Sequence, residues 1–171
     1  WHNPDAEIPI HVYTQDALGL SAGRNLAVQK SGGEWIAITD IDVRPTQNWI
    51  TNLYEKSQPL NPDERVVAVT GRTIFEKAGD LISLLRSVEI ATKYRSRPRR
   101  TSLANGPCSM FHRQSLDEIG GFDPEWYHAE DMEVSLKLIS SGGTIVYAPE
   151  AVVSHTAESA VPYTHLTLPT R

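Results

Sequence analysis

Two aspartates, separated by one residue, follow a short apolar run at positions 35–38. The run is rich in isoleucine and is bounded by glycines and a proline, which is typical of a buried strand. Because side chains alternate along a strand, Asp40 and Asp42 leave on the same side, with Cα atoms about 6–7 Å apart. The two carboxylates repel each other, and a divalent cation such as Mg²⁺ or Mn²⁺ removes that cost. The alternative is a polar exit from the strand, in which one aspartate caps the next turn.

A second acidic pair, Glu130 and Asp131, begins a predicted helix. Acidic residues in a first turn are ordinary, because they face the positive end of the helix dipole. This pair, however, follows a glycine-rich turn at 120–121 and an aromatic cluster at 126–128, which are suited to wall a pocket. A catalytic role for both acidic pairs requires that they converge on one cleft.

Composition limits the class of protein. The chain has 171 residues, of which 40% are hydrophobic and 22% are charged, as in one ordinary globular domain. No apolar stretch approaches the ~20 residues that a membrane-spanning helix requires. The single cysteine, Cys108, excludes an internal disulfide framework and fits a reducing compartment. We therefore expect a cytoplasmic protein, either free or at the inner face of the plasma membrane.

The charge is unevenly distributed. The net charge is −5, yet the segment 90–116 has no acidic residue and six basic ones: Lys93, Arg95, Arg97, Arg99, Arg100 and Arg113. Such a strip favours contact with an anionic group, for example a diphosphate, an acidic glycan or a lipid head group. The alternative is a solvated loop. Nucleic acid is a poor candidate partner, because the domain is acidic and has no aromatic–basic binding motif.

Strand and helix patterns alternate along the chain. This alternation predicts an α/β fold with a mixed, mostly parallel sheet flanked by helices. The predicted strands are 8–13, 35–39, 66–75, 144–147 and 151–154. The predicted helices begin at Ser21, Thr46, Asp80, the capping box of Ser115 with Glu118, and Glu130. In the last helix, Met132, Leu136 and Ile139 share one face.

The order of these motifs resembles the family 2 glycosyltransferases, which are inverting sugar transferases with a GT-A fold, a Rossmann-like α/β fold. The resemblance covers about residues 19–155. The matching segments are Gly23-Arg24-Asn25, Asp40-Ile41-Asp42, Val69-Thr70-Gly71, Asn105-Gly106, Met110-Phe111-His112-Arg113, Ile119-Gly120-Gly121-Phe122-Asp123, Glu130-Asp131, Ala148-Pro149 and His155.

The resemblance implies a metal site. Asp42 matches the family aspartate that binds Mn²⁺ or Mg²⁺, and Asp40 matches the one near the nucleotide ribose or the water shell of the metal. His155 falls where some members place a metal-ligating histidine, although a lone histidine after a strand is more often structural.

The resemblance also implies roles at the donor and acceptor. Asp131, with Glu130 beside it, matches the acidic pair that supplies the general base. Arg24 and the turn Asn105-Gly106 are candidates for binding the nucleotide-diphosphate sugar, with a surface arginine as the alternative for Arg24.

The implied reaction is transfer of a sugar from a nucleotide-diphosphate sugar to an acceptor hydroxyl, with inversion. The acceptor would be a glycan, a lipid-linked sugar or another alcohol, in the synthesis of bacterial surface polysaccharide or glycolipid. We expect residues 1–155 to form a partial catalytic domain that lacks the first nucleotide-binding strand and helix and is inactive alone. Residues 156–171 are expected to be an unstructured tail of non-native sequence.

Two other readings stay open. One is a catalytically inactive glycan-binding or scaffolding domain of the same fold. The other is a phosphatase of the haloacid-dehalogenase type, which uses the first aspartate of a D-x-D motif as nucleophile. The position two residues after the second aspartate, Arg44, departs from the Thr or Val usual in that class.

Overall fold

The computed structural model describes residues 9–75, 85, 88, 89, 92, 94–126 and 129–155. Its helices are α1 (Leu20–Lys30), α2 (Trp49–Lys56), α3 (Arg113–Glu118) and α4 (Glu130–Ser140). Its strands are β1 (Trp35–Ile38), β2 (Val43–Pro45), β3 (Val66–Phe75), β4 (Arg100–Thr101), β5 (Ser109–His112) and β6 (Thr144–His155). The predicted helix beginning at Asp80 lies mostly outside the described residues, although Leu85, Val88 and Glu89 are helical. The predicted tail at 156–171 lies entirely outside them.

The strands form one mixed sheet in the order β1-β5-β3-β6-β2, and β4 also pairs with β6. The central pair, β3 with β6, is parallel, and the other pairings are antiparallel. Because β5 is antiparallel to both β1 and β3, the strands β1, β3 and β6 all run in the same direction. The predicted α/β fold with a mixed sheet is confirmed.

Helices cover both faces of this sheet. On one face, α1, α3 and α4 bury Val28, Leu116 and Leu138 against the sheet. On the other face, α2 buries Trp49 and Leu53. The sheet is therefore packed between two apolar layers, and the candidate functional residues lie in the loops at its ends and at the ends of the helices.

Strand β6 is irregular in its middle. Tyr147 pairs with Thr70, but the next registered pair is Arg72 with Val152, so extra residues bulge out of β6. The bulge brings the Ala151 carbonyl onto Gly71, where a Cβ atom would lie inside van der Waals contact. The two predicted strands 144–147 and 151–154 are thus one strand interrupted by a bulge.

The predicted strand at 8–13 is wrong over residues 9–13, which form no strand. Ile10, Val12 and Tyr13 are exposed, at 42%, 66% and 50%. β-propensity needs a partner edge to become a strand, and within the described ranges this segment pairs with none.

Two further details of the helices concern the buried face of α4 and the start of α3, which differs from prediction. In α4 the buried face carries Val134 and Leu138, whereas Met132, Leu136 and Ile139 are exposed. Helix α3 begins at Arg113, so Ser115 lies inside it, and the Ser115 hydroxyl contacts His112 Nδ1 at 3.1 Å instead of capping the helix. In the part of the chain that is described, no helix combines the length and apolarity needed to cross a membrane.

Candidate active site

The loop between β1 and β2 carries the first acidic pair. Its turn is closed by a hydrogen bond from the Val43 N–H to the Asp40 carbonyl, at 3.4 Å. Ile41, between the two aspartates, is fully exposed. Because the chain has left the strand before Asp40, alternation no longer aligns the carboxylates, and the two side chains reach different partners.

Arg24 joins the two acidic pairs. From α1, its Nη1 donates to Glu130 Oε1 at the start of α4, and its Nη2 donates to Asp40 Oδ1 at 3.4 Å. Arg24 is only 8% exposed and Glu130 only 13% exposed, whereas Asp40 is 35% exposed. Acidic residues that are 90 positions apart in the sequence therefore meet at one guanidinium.

Two further contacts fix this guanidinium. Its Cζ lies 5.5 Å from the centre of the Phe122 ring, in a cation–π arrangement. A Cβ atom at Gly106 would lie 2.9 Å from Arg24 Nη2, so any larger residue at this turn would displace the guanidinium from its present position. Arg24 was predicted to contact the nucleotide-diphosphate sugar, and in the structure its guanidinium contacts both Asp40 and Glu130.

The neighbouring Asn25 explains the rest of the Gly-Arg-Asn segment. Its amide donates to the Phe122 carbonyl at 2.7 Å and accepts from the Phe122 N–H at 2.9 Å. These two hydrogen bonds to the backbone hold the turn containing Gly121, whose φ of +73° favours glycine. Asn25 therefore clamps the loop that carries Phe122 over α1.

Asp131 faces the turn at 105–106. Its Oδ2 accepts a hydrogen bond from the Gly106 N–H at 3.3 Å, and its Oδ1 accepts one from the Met132 N–H at 2.8 Å. Ser135 ties the same region together, since its hydroxyl donates to the Asp131 carbonyl and accepts from the Ala104 N–H at 3.0 Å. The carboxylate is half-buried and is held by backbone N–H groups, and no basic side chain among the described residues pairs with it.

Asn105 supports that turn from inside. Its amide nitrogen donates to Thr73 Oγ1 at 2.9 Å and to the Tyr94 hydroxyl at 3.1 Å, and its amide oxygen accepts from Thr70 Oγ1. The side chain is buried, and both ends of its amide form hydrogen bonds with other residues of the protein. The structure thus gives Asn105 internal partners where a nucleotide contact was predicted. Sequence reasoning missed the supporting role of Thr73 and Tyr94, for which no spacing signal exists.

Asp42 reaches a different partner, His155. The His155 Nε2 and Asp42 Oδ2 atoms are 3.0 Å apart, because the register of β2 on β6 places Val43 opposite His155. The His155 ring stacks on Phe75, with ring centres 5.2 Å apart.

The predicted metal ligands are therefore only partly assembled. Asp42 and His155 meet, while Asp40 turns to Arg24, and the described residues contain no group of three acidic, histidine or cysteine side chains that could hold a metal ion. The carboxylate oxygens of Asp42 suit Mn²⁺ or Mg²⁺, for which substrate phosphates and waters can complete the coordination.

Two solved structures share the fold of this chain. GalNAc-T7, crystallised with UDP, GalNAc and Mn²⁺, superposes with a TM-score of 0.62 at 18% identity, covering 85% of this chain and 32% of that one. The mannosyltransferase PcManGT from Pyrobaculum calidifontis, in complex with GDP-Man and Mn²⁺, gives a TM-score of 0.59 at 22% identity, covering 86% of this chain and 38% of that one. The fold is that of the GT-A glycosyltransferases.

The family model described as Glycosyl transferase family 2 matches residues 3–120, and the chain belongs to that family. It is similar to the pre-mycofactocin glycosyltransferase of Mycobacterium tuberculosis, with 22% identity over 156 residues, which cover 88% of this chain and 32% of that protein. It is also similar to the O-antigen chain rhamnosyltransferase RfbN of Salmonella typhimurium, with 28% identity over 160 residues, which cover 85% of this chain and 49% of that protein. The chain spans about a third to a half of the length of these relatives, and the match to the family model ends before Glu130.

Proposed function

We propose that this chain belongs to an enzyme that transfers a sugar from a nucleotide-diphosphate sugar to an acceptor hydroxyl with inversion, in the synthesis of bacterial surface polysaccharide or glycolipid. Membership of the family supports sugar transfer. The observation that carries the site assignment is the contact of Arg24 with both Asp40 and Glu130, because it brings the two acidic pairs into one region.

At the donor end, Asp42 and His155 are the residues that would hold Mn²⁺ or Mg²⁺. When bound, such an ion stabilises the negative charge that develops on the departing diphosphate. Arg24 already pairs with two carboxylates, so its charge is balanced, and we assign it to positioning. Asp40, which is the more exposed of its two partners, keeps one oxygen for a nucleotide hydroxyl or a metal-bound water.

At the acceptor end, Asp131 is the general base. One oxygen of Glu130 is bound to Arg24, whereas among the described residues Asp131 accepts hydrogen bonds from backbone N–H groups alone. Asp131 takes the proton of the acceptor hydroxyl while the hydroxyl oxygen attacks the anomeric carbon. The bond from that carbon to the diphosphate breaks on the opposite face, and this single displacement inverts the configuration. A base of this kind is worth about 10²–10⁴ in rate.

The test uses the longest natural form of the protein that carries this sequence. It is incubated with Mn²⁺ and a panel of nucleotide sugars and acceptors, and release of nucleoside diphosphate is measured. We expect Asp131→Asn to lower kcat by about 10²–10⁴ with little change in KM. Asp117→Asn, an exposed aspartate of α3, is the matched control and should leave kcat unchanged.

The other outcomes decide between the alternatives. Equal rates for Asp131→Asn and the wild type would refute the base assignment. Release of free phosphate from a phosphoester would support the phosphatase, and a protein that binds glycan without turnover would support the inactive domain. We also propose that residues 1–155 alone transfer sugar poorly, and robust transfer by that segment would contradict this.

A further inference from the structure

A pocket of about 400 Å³ lies beside the bulge of β6, near the end of α2. Its lining contains no acidic residue, and its other members are two tyrosines and a proline. The basic residues that line it, here called the cationic pocket, are Lys56, Arg72, Arg95, Arg97 and Arg99. This local charge stands against the net charge of −5 of the chain.

Only part of this positive charge is balanced. Arg99 pairs with Glu64, with its Nη2 3.0 Å from Glu64 Oε2, and Lys56 Nζ lies 3.8 Å from Glu150 Oε2. The remaining three arginines form no ion pair with a carboxylate anywhere in the described ranges. An anion that enters the pocket therefore meets three uncompensated guanidinium groups, at positions 72, 95 and 97.

Arg97 is held rigidly. Its guanidinium stacks 5.8 Å from the ring centre of Tyr94 and 5.4 Å from that of Tyr147. Its Nε donates to Thr101 Oγ1 and its Nη2 to the Leu103 carbonyl, both at 2.7 Å. Burial lowers the pKa of Arg97, because removal from water disfavours its charge. A bound anion would offset that cost.

Two buried donors in the same lining have no partner among the residues described. They are Arg72 Nε and the Tyr147 hydroxyl. Burial raises the pKa of Tyr147 above its ordinary value, so at neutral pH its hydroxyl keeps its proton. Unpaired buried donors destabilise a protein, so an acceptor oxygen of a bound anion would be favourable for either donor.

The cationic pocket is connected to the candidate base. The Tyr94 hydroxyl accepts from Asn105, and the next residue, Gly106, donates its N–H to Asp131. One turn therefore contacts both the pocket wall and the carboxylate that would activate the acceptor.

We propose that the cationic pocket binds a phosphoryl group, as a phosphate or diphosphate ester, of the acceptor. Guanidinium groups bind phosphate oxygens through paired N–H donors, which suits the three arginines. That the ester belongs to the acceptor rests on the proposed function, whereas phosphate binding itself does not.

The test measures binding of inorganic pyrophosphate by calorimetry in the presence of EDTA, so that no metal ion contributes. We expect binding that weakens as salt is raised. Tyr147→Phe and Arg95→Gln should each weaken it by about tenfold. Tyr147→Phe removes a buried donor without a partner, so its Tm should not fall, and this separates loss of binding from loss of fold.

Lys56→Gln and Lys30→Gln form a matched pair. Each removes one lysine from the last turn of a helix, and only Lys56 lines the pocket. Of these two variants, Lys56→Gln should weaken pyrophosphate binding and Lys30→Gln should leave it unchanged. Absence of binding, or equal affinity for the wild type, Tyr147→Phe and Arg95→Gln, would overturn the proposal.

A second arm identifies the source of the phosphate. Co-sedimentation with vesicles of phosphatidylcholine containing phosphatidic acid, abolished by Arg95→Gln, would assign the pocket to a lipid phosphate. Pyrophosphate binding without co-sedimentation would assign it to a soluble ester. Failure of the Asp131→Asn activity test leaves these binding results intact, so the two proposals fail separately.

Discussion

Replacing Arg24 by methionine removes the group that joins the two acidic pairs while keeping a long apolar side chain. The largest loss is the hydrogen bond to Glu130, because both residues are nearly buried, and such a charged bond contributes about 1.5–3 kcal/mol. The contact with Phe122 adds about 0.5–1 kcal/mol. Asp40 is 35% exposed, and its Oδ1 lies 3.4 Å from Arg24 Nη2, so water screens this ion pair and its contribution to stability is small.

We therefore expect Arg24→Met to lower the free energy of unfolding by about 3 kcal/mol. For a chain of this length, that corresponds to a fall in Tm of about 6–12 °C. Urea unfolding followed by circular dichroism measures the change, and an unchanged m-value indicates that the folded state is still compact.

A double-mutant cycle with Glu130→Gln isolates the bridge. Because the two side chains contact each other, we expect a coupling energy of about 1.5–3 kcal/mol. The control cycle uses Arg65→Met with Glu118→Gln, which joins the same residue types on the surface, at 44% and 41% exposure. Its coupling should be much smaller, because exposed ion pairs are screened.

Additive effects of Arg24→Met and Glu130→Gln would refute the reasoning. They would mean that the guanidinium does not hold Glu130 in solution. The first acidic pair would then have no measured link to the second, and the shared site would lose its main support.

Two further predictions concern stability. Gly71→Ala places a Cβ atom against the Ala151 carbonyl and the Cys108 sulfur, so we expect the free energy of unfolding, measured with urea, to fall by about 1–3 kcal/mol. In the control Gly32→Ala the added Cβ atom meets open space, and the free energy of unfolding should not change. Equal stability of both variants would contradict the close approach at Gly71. The hydrogen bond from Arg99 lowers the pKa of the buried Glu64 carboxyl. This stabilisation is complete above the ordinary glutamate pKa of about 4.3 and is lost as pH falls through the lowered value in the folded protein. The stability difference between wild type and Glu64→Gln should therefore shrink in acid, and a difference independent of pH would exclude this linkage.

Local patterns predicted much of the fold. The bounds of β3 agree with the predicted 66–75 and α4 begins at the predicted Glu130, because a continuous valine-rich run and a helical period are local signals. The apolar residues that share one face of α4, Met132, Leu136 and Ile139, are exposed, and the helix buries Val134 and Leu138 instead. Which side of a helix meets the sheet depends on tertiary packing, and residue type alone did not decide it.

The site was predictable in its residue types but not in its contacts. Both acidic pairs were identified, yet the side-chain directions of Asp40 and Asp42 were not, because alternation holds only while the backbone remains extended. His155 meets Asp42 through the register of β2 on β6, over more than a hundred positions of sequence. No spacing rule encodes such a register.

The geometry separates the two members of each acidic pair. In the first pair Asp40 is bound to Arg24, and in the second pair Glu130 is bound to the same guanidinium. One arginine thus contacts one acid of each pair and reduces the repulsion between the two pairs. The other acids, Asp42 and Asp131, have partners that can yield to substrate: an imidazole that can share a metal ion, and backbone N–H groups that leave acceptor capacity on the carboxylate. This division explains why both proposed chemical roles fall on the second residue of each motif, and why the loss of Arg24 should disturb both ends of the reaction at once.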